Sequence, residues 1–106
     1  MDASAEAREV EARSAVGPVL IAGPLSNAVV AAIQDENRDV VVLDRGAYLR
    51  VLVPRRCVVT RAGVEQRTGQ PFRLPTDLEA IMASFKGKLA LDASGAVWSL
   101  PGEGER

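Results

Sequence analysis

Residues 40–53, VVVLDRGAYLRVLV, constrain this chain more than any other stretch. The run is the most apolar and β-branched in the sequence, and Asp44-Arg45-Gly46 interrupts it. Asp bonds readily to its own nearby backbone, and Gly46 reaches the positive φ that a tight hairpin needs. Two antiparallel strands joined at that turn are therefore expected. The first, 40–43, is continuously apolar and reads as a strand covered on both faces. The second alternates. Ala47, Leu49, Val51 and Val53 share one face, and Tyr48, Arg50 and Leu52 share the other. Pro54 cannot donate to the ladder and stops the strand.

The flanking sequence supplies helices and further strands. A short strand over 19–22 ends at Gly23-Pro24. Ser26 is the expected N-cap of a helix over 26–37, with Leu25, Val29, Val30, Ala32 and Ile33 at helical spacing. Cys57, Val58 and Val59 form a brief strand. Thr60 caps a short helix, Arg61–Thr68, which Gly69 ends. Phe72 and Leu74, in a proline-bounded loop, plug the core. Thr76 and Glu79 form a capping box for a third helix. Leu78, Ile81, Met82 and Phe85 line one face of it, and Gly87 terminates it. A second hairpin, 88–92 with 96–100, turns at Ser94-Gly95 and carries Trp98. The expected order is β-α-β-β-β-α-α-β-β. It describes a single small α+β domain of two strand–helix–hairpin units with antiparallel sheets and about three helices. Residues 1–15 hold one large apolar side chain, Val10, and read as a flexible N-terminal tail. The folded domain spans 16–100, and 101–106 is a polar C-terminal tail.

The chemistry the chain lacks narrows its function. It has 106 residues and no histidine, which removes the commonest general base and metal ligand. The single cysteine, Cys57, has no imidazole to activate it and reads as a small buried hydrophobe. The carboxylates are scattered or sit at helix starts, so no catalytic, cofactor-binding or metal-binding residue is assigned. One cysteine permits no intrachain disulfide, no apolar run is long enough to span a membrane, and the first residues are acidic where a secretory signal would be basic. A cytoplasmic location is expected, with no membrane partner. Charge is unevenly spread: residues 45–73 carry seven arginines against Glu65 alone, in a chain of net charge −1. That third reads either as a solvated face or as a docking surface for an acidic partner. Tyr48 beside Arg50 is able to stack a nucleobase, but one aromatic on a sheet face of a net-acidic chain does not make a nucleic-acid site. A domain so equipped acts on another protein or binds a small ligand rather than catalysing.

Several segments together resemble one family. They are VGPVLIAG (16–23), AAIQDEN (31–37), VVVLDRGAYLRVLVP (40–54), CVVTRAGVEQRTGQPF (57–72), and LEAIMASFKGKLAL (78–91) followed by VWSL (97–100). The ordered series is similar to the effector, or coupling, proteins of bacterial multicomponent soluble diiron monooxygenases (the MmoB/DmpM family), and most to their toluene monooxygenase branch. The start of the first helix (Pro24, Ser26, Asn27) and the basic Arg55-Arg56 pair depart from that pattern. The resemblance implies a cofactor-free, non-catalytic regulatory subunit, monomeric when free, that docks on a diiron hydroxylase. Docking would modulate turnover, coupling and regiospecificity. A Rieske ferredoxin and a reductase are the further partners it implies. Exposed polar residues are the candidate contacts: Asn27 and Gln34 on the first helix, Arg45, Tyr48 and Arg50 on the hairpin, and Ser84 and Lys86 in a loop after the third helix. The alternative is a ferredoxin-like regulatory domain that senses a small molecule, which needs a pocket with convergent polar groups.

Overall fold

The computed structural model describes residues 14–101. The expected tails, 1–13 and 102–106, lie outside them. Seven strands and three helices follow in the order β1 (Ala15–Ile21), α1 (Pro24–Glu36), β2 (Val41–Asp44), β3 (Tyr48–Pro54), β4 (Arg56–Thr60), α2 (Arg61–Thr68), α3 (Thr76–Ile81), β5 (Met82–Lys86), β6 (Lys88–Asp92) and β7 (Gly95–Ser99). Two antiparallel sheets result, one ordered β2-β3-β1-β5 and the other β4-β7-β6. Their inner faces share one core with α1. Val16, Leu20, Leu49 and Val51 come from the first sheet, Val59 and Trp98 from the second, and Val29 and Ile33 from α1. Val64, Phe72 and Leu78 close it from α2, the following loop and α3.

The alternation expected of β3 is observed: Leu49, Val51 and Val53 are buried and Tyr48 and Arg50 are exposed. The turn before it is built as its residues dictate, with Gly46 at φ 79° and its N–H donated to Asp44 Oδ1 at 2.8 Å. Likewise Thr60 caps α2 by accepting the Gly63 N–H, and Gly69 ends it at φ 68°. Cys57 is fully buried, opposite Trp98.

Other expectations fail, each for a physical reason. The chain enters β1 at Ala15, within the expected tail, because Ala15 and Val16 are buried against Pro54 and Val53. Helix α1 starts at Pro24 rather than after Ser26: proline at the first helical position has the right φ and no N–H to satisfy. Ser26 is then inside the first turn, buried, donating its hydroxyl to the Ile21 carbonyl instead of capping. Strand β2 is not covered on both faces. It is the edge of its sheet, and Val41 is 50% exposed.

The largest correction concerns 82–86. The third helix stops at Ile81 and Met82–Lys86 forms β5, paired with β1. Leu78, Ile81 and Met82 do pack on the core as helical spacing requires, but Phe85, on the edge strand opposite Pro18, is left 45% exposed. Strand β1 has β3 on one edge, and its other edge would be left unpaired if 82–86 were helical; pairing overrides a weak helical preference. The capping box is also absent, for Pro75 rather than Thr76 is the cap residue and no side chain caps α3. Asp77 instead accepts the Arg73 N–H at 2.7 Å.

The end of α1 fastens the second sheet. Asn37 Nδ2 donates to the Val58 carbonyl at 2.7 Å, and Asn37 Oδ1 accepts the Val58 N–H at 3.0 Å. The Glu36 carboxylate accepts from Thr60 through both its N–H and its hydroxyl. Asp35 takes a forked contact from Arg67 of α2, an exposed pair of small energetic weight.

Candidate partner-docking face

The outer face of the four-stranded sheet is the candidate site. Directly opposed residues of antiparallel strands share a face, so the register defines it. One row crosses all four strands: Leu43, Arg50, Val19 and Ser84. On one side of it Tyr48 pairs with Ile21; on the other Val41 pairs with Leu52 and Gly17 with Lys86. None of these outward residues belongs to the core, and Ile21, Val41 and Tyr48 are each about half exposed, at 47%, 50% and 45%. The face is therefore apolar around one guanidinium, with Arg50 set between two aliphatic neighbours. Exposed clusters of this kind, with Tyr and Arg among them, mark surfaces that bind other proteins.

Five of the seven candidates meet here. Tyr48 and Arg50 stand on β3, and Ser84 and Lys86 on β5 on the far side of β1. Ser84 and Lys86 thus occupy a strand, not the loop expected of them. Arg45 is exposed at the hairpin tip, its backbone fixed by an N–H donated to the Tyr48 carbonyl at 2.8 Å. Asn27 and Gln34 are exposed on α1, whose other side buries Val29, Val30 and Ile33. That helix packs on the core side of the sheet, so these two residues belong to a different surface. Of the apolar members, the alternation of β3 places Leu52 beside Tyr48 and Arg50, whereas nothing in the sequence singles out Val19, Ile21, Val41 and Leu43. Uniformly apolar runs do not reveal which face is open; only the edge position of β2 and the lack of cover over the sheet do.

No group of three or more His, Cys, Asp or Glu residues among the described ones is placed to hold a metal. Two clefts flank α2. One lies by the start of α1, between Leu25, Arg67 and Asp77, and one by its end, between Asp35, Thr60 and Gln66. Both are open surface grooves rather than enclosed pockets, and neither has the convergent buried polar groups a small-molecule sensor requires. No helix of the described residues is long and apolar enough to cross a membrane.

Cys57 is outside this face and chemically quiet. Burial, with a smaller contribution from the Glu36 charge, pushes its thiol up from 9.0 to about 12. Two results follow. At about pH 8 an alkylating reagent labels Cys57 only as fast as the chain opens, and completely in denaturant. The folded chain keeps a proton that the unfolded chain releases, so this group leaves stability unchanged below pH 9.0 and lowers it as pH rises toward about 12. Urea midpoints across that window, compared with those of Cys57→Ala, check the sign.

A family model for the MmoB/DmpM family matches residues 14–99. The effector subunit of the alkene monooxygenase system of Xanthobacter autotrophicus strain Py2 is 42% identical over 85 residues, covering 78% of this chain and 83% of that relative. Among solved structures, a chain from a phenol hydroxylase–regulatory protein complex superposes with a TM-score of 0.72 at 18% identity, over 80% of this chain and 95% of that one. At that identity the superposition speaks for the fold. These relatives are named for effector and regulatory roles, not for catalysis. The chain belongs to the MmoB/DmpM family.

Proposed function

We propose that this protein is a cofactor-free effector that binds the diiron hydroxylase of a multicomponent monooxygenase through the outer face of its four-stranded sheet. The observation that carries the proposal is that face, apolar, uncovered by the described residues and centred on Arg50. Family membership and the effector role of the alkene monooxygenase relative support the same reading. The effector works as a cytoplasmic monomer beside a Rieske ferredoxin and a reductase, and it modulates turnover, coupling and regiospecificity.

Regulation of this kind needs a difference in affinity. A ligand moves a conformational equilibrium only as far as it binds one state better than the other. A coupling of about 1–3 kcal/mol gives a 5–150-fold shift toward the oxygen-reactive hydroxylase. The sheet face supplies area, Tyr48 and Arg50 supply anchors, and Arg45, Ser84 and Lys86 supply the polar border. Asn27 and Gln34 are a second contact, on α1.

The test is reconstitution with hydroxylase, ferredoxin, reductase and a panel of aromatic and alkene substrates. Added effector is expected to raise turnover and the yield of product per electron. The preferred substrate separates a toluene-type branch from an alkene-oxidising one. No change in rate, coupling or product distribution would sink the proposal. Arg50→Ala and Tyr48→Ala are each expected to weaken hydroxylase binding about tenfold or more, as anchor residues do. Their unfolding free energies should stay within about 0.5 kcal/mol of the parent. A large stability loss with unchanged affinity would assign both to packing instead. Titration of Asn27→Ala and Gln34→Ala tests the helix contact, and unchanged affinity removes it.

A further inference from the structure

Among the described residues the two sheets end at β2, β5, β4 and β6. Three of these margins are blunted. At β4 the Asn37 side chain holds the Val58 N–H and carbonyl. β6 has Lys88 and Asp92 at its ends. β5 ends in Lys86 and is bulged, since Val19 and Leu20 stand opposite Ser84 and Met82 and leave Ala83 over. Charges and bulges are devices that keep further strands from an exposed edge. β2 lacks lysine, proline and bulge alike. Its four residues, Val41–Asp44, run in unbroken register with β3, and its one charged side chain, Asp44, is turned back to the Gly46 N–H.

The hydrogen-bond alternation shows which backbone groups this edge presents. Ala22 donates to the Ala47 carbonyl and Arg55 to the Ser14 carbonyl, each at 2.9 Å, so odd-numbered residues along β3 bond toward β1. Arg45 donates to the Tyr48 carbonyl at 2.8 Å, so even-numbered ones bond toward β2. Opposed residues of antiparallel strands alternate between exchanging both bonds and exchanging none. Leu43 with Arg50 and Val41 with Leu52 are therefore the bonded pairs, and Val42 and Asp44 aim their N–H and carbonyl away from the sheet. No backbone bond joins those groups to another described residue.

We propose that an extended segment of the hydroxylase adds to β2 as a fifth strand of this sheet. The inference rests on the proposed function and refines it. Val41 and Leu43 belong both to this margin and to the outer face, so a partner lying on that face reaches the edge without a break. Strand addition takes affinity from backbone bonds and selectivity from alternate side chains. Beside Val41 and Leu43 the added strand suits β-branched or aromatic residues. Extent favours this occupant over a second copy of the chain. The four residues span about 14 Å. Two such edges meeting alone bury far less than the roughly 1,200–2,000 Å² of a stable interface. The partner that adds the strand must also cover the outer face.

Amide hydrogen exchange, run in the hydroxylase complex, quenched, and read residue by residue on the released chain, tests the bonds. In the free chain Val42 and Asp44 are expected to exchange faster than Val41 and Leu43; in the complex all four slow. Val42→Pro removes an outward donor and no bond to β3, the placement in which an edge strand tolerates proline. It should weaken hydroxylase binding about tenfold or more, with far-UV circular dichroism unchanged. An ester replacing the amide between Val41 and Val42 removes the same donor, keeps every side chain, and should weaken binding likewise. Hydroxylase binding that leaves Val42 and Asp44 exchanging as in the free chain overturns the added strand and leaves the proposed function standing. An ester variant that binds as the parent does has the same force. Protection of both amides in the free chain, rising with its own concentration, would make the occupant a second copy and overturn the inference. Absence of any hydroxylase binding removes the proposed function and this inference with it.

Discussion

Trp98→Ala is expected to remove about 3–5 kcal/mol of folding free energy, whereas Trp98→Phe removes within about 1.5 kcal/mol. Trp98 is the largest fully buried side chain, at 0% exposure, and it stands between Cys57 and Leu89 on neighbouring strands. Truncation to alanine leaves a cavity between two sheets that cannot both collapse onto it. The milder variant has an offsetting gain. Trp98 Nε1 is buried with no hydrogen-bond partner. An unsatisfied buried donor costs about 1–3 kcal/mol, and phenylalanine abolishes it while keeping most of the ring volume. Urea unfolding followed by far-UV circular dichroism distinguishes the two, and the alanine variant should melt more than about 10 °C lower. Equal losses would show that the indole N–H is satisfied in solution.

Gly17→Ala is the second large effect, with an expected loss of about 2–5 kcal/mol from backbone strain and overpacking together. Gly17 lies inside β1, one of the two interior strands of its sheet, at φ 147°. A Cβ there would meet the Val51 carbonyl oxygen at 2.4 Å, so one of the two hydrogen-bonded strands must move. Gly17 is buried, and the obstacle is backbone rather than a side chain that could swing aside. Gly46→Ala is the control. It has φ 79° but nothing within 4 Å of its Cβ position, so it carries backbone strain without the collision and should cost less. Similar losses at both sites would mean that strain alone accounts for Gly17.

What the sequence revealed depended on how local the determining contacts were. Thr60 and Gly69 bracket α2 as their sequence positions predict, because capping is settled within a few residues. The alternation from Tyr48 to Val53 named its own buried face. By contrast, Met82–Lys86 became a strand through pairing with β1, more than sixty residues earlier, which no local pattern records. The helical spacing of Leu78, Ile81 and Met82 pointed the other way and held only until Ile81. Val41 and Leu43 were equally opaque. Apolar at every position, residues 40–43 signal a covered strand, and only the place of β2 at the sheet edge opens it. The candidate face was therefore half legible. Tyr48 and Arg50 stood out against an alternating background, while Ile21, Val41 and Leu43 were hidden among residues of the same kind. The separation of Asn27 and Gln34 from the hairpin residues is a matter of layers, and spacing along one helix does not encode it.

Asn37 has a consequence for how this molecule lives in a crowded cell. Its side-chain amide meets the N–H and carbonyl of Val58 as a neighbouring strand would, through bonds of 3.0 and 2.7 Å. A single carboxamide thus counterfeits one residue of a fourth strand and stops the second sheet from growing past β4. Lengthening of that sheet by another chain is left to the β6 margin, where Lys88 and Asp92 stand outward with a charge at each end. Such charges discourage edge-to-edge recruitment. Both margins of the second sheet are thereby closed to edge-to-edge pairing by side chains rather than by another strand.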